Sequence, residues 1–195
     1  MPRRPTRTAP VVLLHGLDGS GPDHWQSWLG RQLADVGREV RFPTLPAASE
    51  PRLDAWLTAL RTALADLPAD GFDVVCHSLA SVLWLHHASS PGVTPRPARV
   101  VLVAPPSPAI TLPVIAEFFP PPLSIDAVRQ AADGTVLVGS DNDPYCPEGI
   151  ADAYGRPLKM ATTIVSGGVH LNDEAGYGPW PAMLDWCGRD NLAFF

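Results

Sequence analysis

Phe72-Asp73-Val74-Val75-Cys76-His77-Ser78-Leu79-Ala80 changes character at one residue. Up to Val75 the run is short, apolar and β-branched, the pattern of a strand buried on both faces. From Leu79 to about Ala88 the residues read as a helix. A strand that passes directly into a helix makes a sharp turn, and here the turn carries a serine. Working outward, three similar runs lie at Val11-Val12-Leu13-Leu14, Val100-Val101-Leu102-Val103 and Val136-Leu137-Val138, with weaker ones at Glu39 to Phe42 and Thr162 to Val165. Helical spacing falls between them. Trp25, Trp28, Leu29 and Leu33 repeat at three- and four-residue steps, as do Leu53, Trp56, Leu57, Leu60, Leu64 and Leu67. A last helix is expected from Pro181 to Cys187. Strands alternating with helices predict an α/β fold, a doubly wound and mostly parallel sheet with helices on both faces.

Length and composition bound the rest. A chain of 195 residues, 46% apolar and 17% charged, fits one globular domain. The expected division is a disordered N-terminal arm over residues 1–9 and a folded domain over 10–195. The net charge is −6 and no basic cluster follows Arg3, Arg4 and Arg7, so nucleic acid is not an expected partner. No stretch approaches the ~20 apolar residues of a membrane span. Cys76, Cys146 and Cys187 cannot all pair with one another and match no zinc spacing, so a reducing, cytoplasmic setting without metal is expected. The proline-rich segment 105–123 breaks the alternation. It is either a lid over a site or a connector packed on the sheet edge.

In an open parallel sheet, ligands bind beyond the carboxyl ends of the strands. Those ends carry His15-Gly16-Leu17, His77-Ser78-Leu79, Ser140-Asp141-Asn142-Asp143 and Gly167-Gly168-Val169-His170. A serine, an acid and a histidine thus follow in that order on one rim, the chain order of α/β-hydrolases. The chemistry needs all three. A serine hydroxyl is a weak nucleophile until an imidazole takes its proton. The imidazole needs a carboxylate on its other nitrogen to fix the tautomer. The N–H groups of Leu79 and Leu17 are the expected oxyanion donors. Both Asp141 and Asp143 are candidates for the acid. The elbow departs from its usual form, because Cys76 and Ala80 stand where glycines two residues before and after the serine are common. Substrate contacts are sought at His24, Trp25, Phe118 and Phe119, although His24 and Trp25 also fit a helix start and a core anchor. Cys146 has no histidine near it in sequence and reads as a structural thiol. His77, His86, His87 and Trp180 read as packing residues.

Gly16-Leu17-Asp18-Gly19-Ser20 with His24-Trp25-Gln26-Ser27-Trp28, and Val103-Ala104-Pro105-Pro106, carry a resemblance to the small serine α/β-hydrolase family typified by YdeN and retinoblastoma-binding protein nine. It continues through Gly139-Ser140-Asp141-Asn142-Asp143-Pro144-Tyr145-Cys146, and His170-Leu171-Asn172 with Gly176-Tyr177-Gly178-Pro179-Trp180-Pro181. It implies a single-domain α/β-hydrolase fold, with the family's catalytic serine, aspartate and histidine at Ser78, Asp143 and His170. Val169 stands where that family often has glycine.

The expected activity is cleavage of a carboxylic ester, thioester or activated amide of a small-molecule acyl substrate, through an acyl-serine and without a cofactor. Two other readings stay open: acyl transfer to an amine or alcohol, and a catalytically weak relative that binds a ligand or protein in the cleft. Reaction of Ser78 with a fluorophosphonate separates the last from the others.

Overall fold

The computed structural model describes residues 7–68 and 71–194. Its centre is a six-stranded sheet in the order β2-β1-β3-β4-β5-β6. The strands are β1 (Val11–Leu14), β2 (Val40–Arg41), β3 (Asp73–His77), β4 (Arg99–Val103), β5 (Gly134–Ser140) and β6 (Ala161–Val165). Every neighbouring pair is parallel. The chain order reverses between β1 and β3, the position where open α/β sheets form their ligand crevice.

The unbroken apolar runs follow from burial of both faces. Val12, Leu14, Val74, Cys76, Val100, Leu102 and Leu137 point into one core layer. Val11, Leu13, Val75, Val101, Val103, Val136 and Val138 point into the other. The first layer is closed by α2 (Leu53–Leu64), α3 (Leu79–Ala88) and α4 (Ile125–Ala131), the second by α1 (Trp25–Asp35) and α6 (Pro181–Gly188). A further helical turn, α5 (Arg156–Leu158), follows a wide turn over Ala151–Gly155. α2 shows the expected stripe, with Trp56, Leu60 and Leu64 buried. α3 is apolar all round because it is sandwiched, and only His86 among its residues escapes full burial.

One expectation changes and two regions gain detail. The arm is tied down from Arg7, whose guanidinium pairs with Asp73, and the Ala9 carbonyl accepts from Arg38; residues 1–6 lie outside the described residues. The segment 105–123, expected as a lid or a connector packed on the sheet edge, contains a 3-10 turn at Pro113–Phe118 whose Ile115 and Phe118 enter the core, while Val114 and the preceding Leu112 stay exposed. α4 went unread in the sequence, although Ser124 caps it by accepting from the Ala127 N–H.

Among the described residues, no helix is long and apolar enough to cross a membrane.

Candidate active site

The turn between β3 and α3 puts Ser78 at φ 53° and ψ −123°. A non-glycine residue held there stores strain of about 1–3 kcal/mol, which the surrounding packing must offset. The strand side supplies a Ser78 N–H bond to the Val103 carbonyl at 2.8 Å, and the helix side a Ser81 N–H bond to the Ser78 carbonyl at 2.9 Å. Cys76 and Ala80 are both fully buried in the α2/α3 core layer, so their Cβ atoms fill space that is packed by apolar neighbours. The close approach falls instead on Gly16. A Cβ there would lie 2.8 Å from Ser78 Cβ and 3.3 Å from its Oγ.

His170 is reached from two sides. Its Nε2 lies 2.9 Å from Ser78 Oγ and its Nδ1 2.8 Å from Asp143 Oδ2. With the imidazole neutral, Nδ1–H donates to the carboxylate and Nε2 accepts from the hydroxyl. Asp143 is buried and its second oxygen accepts from the Tyr145 N–H. The acid loop meets the histidine loop residue by residue. Asp141 accepts from the Gly167 N–H and Ser166 Oγ, Asn142 accepts from the Val169 N–H, and Asp143 takes the imidazole. Asp141 is therefore an exposed anchor, and the Gly167 N–H and Ser166 hydroxyl hold its carboxyl below its ordinary value. Beyond His170, Trp25 Nε1 donates to the Leu171 carbonyl at 2.8 Å, and His77 Nε2 donates to the His170 carbonyl at 3.1 Å.

These loops surround a cavity of about 320 Å³. Gly16, Leu17, Ser78, Leu79 and His170 form its floor, and Pro106, Ile110, Leu112 and Ile115 of the proline-rich segment form an apolar wall. Leu79 is the first residue of α3, so its N–H has no partner within the helix. Leu17 follows a loop braced by His15, which accepts from the Leu45 N–H at Nε2 and donates from Nδ1 to the Gly16 carbonyl.

The candidate substrate contacts divide. His24 lines the cavity and also caps α1, its Nδ1 accepting from the Gln26 N–H at 3.1 Å. Trp25 does not line it; the ring is fully buried between His77 and Trp180. Phe118 is likewise a core anchor, packed edge-on against Trp56, and Phe119 lies on the core side as well. Ile115 of the same turn takes the cavity position, because the turn brings its third residue and not its last to the cavity. Tyr145, Asp18, Asn172, Asp173 and Glu174 line the cavity and were not singled out from sequence. Their one signal was adjacency to the strand-end loops. Burial keeps His24 neutral near pH 7, pushing it down to about 4, and lowers His77 well below its usual range. Cys146 is no rival nucleophile: burial and the nearby Glu148 and Asp143 push its thiol up to about 12. Among the described residues, no group of His, Cys, Asp or Glu is gathered to hold a metal ion.

Comparison with known proteins agrees with this architecture. YdeN of Bacillus subtilis is 23% identical over 179 residues, covering 91% of this chain and 94% of its own. The YdeN structure superposes with a TM-score of 0.77 at 22% identity, covering 91% and 96% of the two chains. A YdeN-like protein of Pectobacterium atrosepticum gives 0.68 at 23% identity, over 92% of this chain and 88% of that one. Est1E of Butyrivibrio proteoclasticus gives 0.63 at 13% identity, over 94% and 87%. These structural likenesses establish the α/β-hydrolase fold. The family described as serine hydrolase matches residues 11–188, nearly the whole folded region, and the chain belongs to that family.

Proposed function

We propose that the protein cleaves a carboxylic ester, thioester or activated amide through an acyl-serine intermediate, with Ser78 as nucleophile, His170 as general base and Asp143 as the acid that orients it. The observation that carries this reading is the continuous hydrogen-bonded chain from Asp143 through His170 to a strained serine that opens into a cavity.

In the first half-reaction Ser78 Oγ attacks the acyl carbon while its proton passes to His170 Nε2. The carbonyl π electrons move onto oxygen, and the Leu17 and Leu79 N–H groups stabilise that oxyanion. As the carbonyl re-forms, the bond to the leaving oxygen, sulfur or nitrogen breaks and the leaving group takes the proton from Nε2. Water then attacks the acyl-serine by the same route, releasing the acid and returning the proton to Ser78. Asp143 stays ionised throughout and stabilises the transient imidazolium. The apolar wall of Ile110, Leu112 and Ile115 suits a modest hydrophobic acyl group. A reducing cytoplasmic setting belongs to the same reading, since Cys76, Cys146 and Cys187 are buried free thiols.

The test is a fluorophosphonate probe with a chromogenic short-chain ester. Wild type is expected to label and turn over. Ser78→Ala is expected to lose all labelling and at least ~10⁴-fold in turnover while melting as a folded protein. Labelling that persists in the variant, or that moves to Cys146, overturns the assignment.

A further inference from the structure

The cavity lining mixes two kinds of side chain. Besides the apolar residues it carries Asp18, Asp173 and Glu174, all exposed, and no arginine or lysine lines the cavity among the described residues. Among the described residues, none of the three carboxylates shares a short ion pair with an arginine or lysine, in contrast to the paired acids Asp66, Glu117 and Asp133 elsewhere on the surface.

A second, independent feature of this cavity points to a ligand. His24 is only 3% exposed. Its Nδ1 is occupied by the Gln26 N–H, which leaves the proton on Nε2. That Nε2 has no acceptor among the described residues, yet it is not among the polar atoms sealed from solvent. Its open side is the cavity that the ring lines. A buried N–H without a partner calls for an acceptor in the pocket, which the carbonyl oxygen of an acyl substrate supplies and its cationic nitrogen does not. The ring lies within electrostatic reach of Asp173 and remains neutral at pH 7, so it does not cancel the negative charge.

We propose that this cavity selects acyl substrates carrying a positively charged nitrogen, an ammonium or quaternary group, held by the Asp18, Asp173 and Glu174 carboxylates while the acyl chain lies on the apolar residues. The proposal rests on the acyl-serine reading and names its substrate class. Exposed carboxylates act through water, so the preference is modest and sensitive to salt, since the screening length shrinks to about 3 Å at 1 M ionic strength. Carboxylate-bearing substrates meet the same field with the opposite sign and are disfavoured.

The experiment compares two thioesters of one shape, butyrylthiocholine and 3,3-dimethylbutyl thiobutyrate, which replaces the quaternary nitrogen by carbon. The readout is the ratio of their kcat/KM values. At 10 mM salt the cationic ester is expected to be favoured about tenfold, equivalent to about 1.4 kcal/mol. The ratio is expected to fall below about threefold at 0.5 M salt, and toward one in Asp173→Asn/Glu174→Gln at low salt. The salt arm uses wild type alone, so it stands even if the double variant folds poorly. A ratio near one in wild type at low salt overturns the proposal, and so does a preference that survives both salt and the double substitution. Failure of the underlying reading looks different: neither thioester turns over and Ser78 does not label with fluorophosphonate, and the charge selectivity falls with it.

Discussion

The two ends of the sheet solve opposite problems with buried polar groups. At the amino end, where β3 and β4 begin, Asp73 is completely buried and receives Arg7, Arg38 and Arg99. The spare guanidinium protons are taken by the carbonyls of Ala9, Cys187, Trp186, Arg189 and Asn191, so the N-terminal arm and the end of α6 are clamped to the sheet. Burial alone raises the Asp73 carboxyl, and the hydrogen bonds from Arg99 and Arg7 more than offset that, leaving it lowered. At the carboxyl end four histidines are buried, His15, His24, His77 and His170, together with Asp143 and Ser140. Ser78, Val169 and Leu171 there hold positive φ, and the His24 Nε2 is left without a partner among the described residues. The first arrangement satisfies nearly every donor and acceptor. The second keeps strain and open hydrogen-bonding capacity, which a fold retains where a ligand completes the set.

The sharpest contrast concerns which aspartate matters for what. Asp143→Asn is expected to lower kcat by roughly 10³ to 10⁴, because an amide at that place stabilises the wrong imidazole tautomer. Asp141→Asn is expected to cost less than about tenfold, since Asn Oδ1 can still accept from Gly167 and the contact is exposed. Steady-state kinetics on one ester decides this, and reversed losses exchange the roles. Asp73→Asn is expected to leave kcat/KM within about twofold and to lower unfolding free energy by about 3–5 kcal/mol, because two buried guanidinium groups, Arg38 and Arg99, and the half-buried Arg7 lose their counter-charge. Urea denaturation checks it. A loss below about 1 kcal/mol would show that the carbonyls alone hold the clamp.

Acid separates the buried histidines from the Asp73 clamp by pH window. His24 and His87 are held down to about 4, in each case first by burial, and His77 lies well below its ordinary value for the same reason. A folded value below the unfolded one means that the unfolded chain binds protons first as pH falls. Stability is therefore full above about pH 6.5 and declines between 6.5 and 4, by up to about 3 kcal/mol per such histidine. Asp73 keeps its contribution until pH falls below the unfolded carboxylate value near ~4. The expected curve has two limbs, histidines first. His87 isolates one component, because both ring nitrogens are sealed from solvent without a partner. His87→Leu is expected to remove about one proton from the pH 6.5–4 limb and to raise stability at pH 7 by about 1–2 kcal/mol. An unchanged slope would mean that His87 is not held neutral.

What could be read in the sequence follows the same division. Strands of one-residue alternation inside a doubly covered sheet appear as unbroken valine and leucine runs, so β1, β3, β4 and β5 were legible, while β2 is only Val40–Arg41. Ser78 and His170 were legible because strand ends in a parallel sheet converge on one rim. Asp143 over Asp141 rested on the family resemblance and on loop reach; in the structure His170 meets Asp143, while Asp141 is engaged by Gly167 and Ser166. The cavity walls were illegible for a different reason. Ile115 and Phe118 are both apolar and lie in one turn, and only the phase of that turn sends one to the cavity and the other to Trp56. The amino-end clamp gathers Arg7, Arg38, Asp73 and Arg99 from four separated stretches and leaves no local pattern at all.

The smallest expected effect tests whether the carboxyl end really stores strain. Val169 sits at φ 49°, immediately before His170, and is 37% exposed. A β-branched side chain in the left-handed region is a true outlier, because its Cβ substituents crowd the backbone. The conformation is enforced by the Val169 N–H bond to Asn142 and by the two loops meeting there. Val169→Gly removes the crowding at the cost of a more flexible unfolded chain, about 0.5–1 kcal/mol. Relief of the left-handed penalty is of order 1–2 kcal/mol. The side chain is half-exposed, so little burial is lost with it. The net expectation is a gain of up to about 1 kcal/mol in unfolding free energy, with kcat/KM falling no more than about threefold as the loop loosens around His170. Val169→Ala separates the components, since it keeps a Cβ and removes the branch; it should fall between wild type and glycine. Urea denaturation of the three proteins measures the series. A glycine variant less stable than wild type would show that the loop closes on Val169 without strain, and the contrast between the two ends would then rest on charge and hydrogen bonding alone.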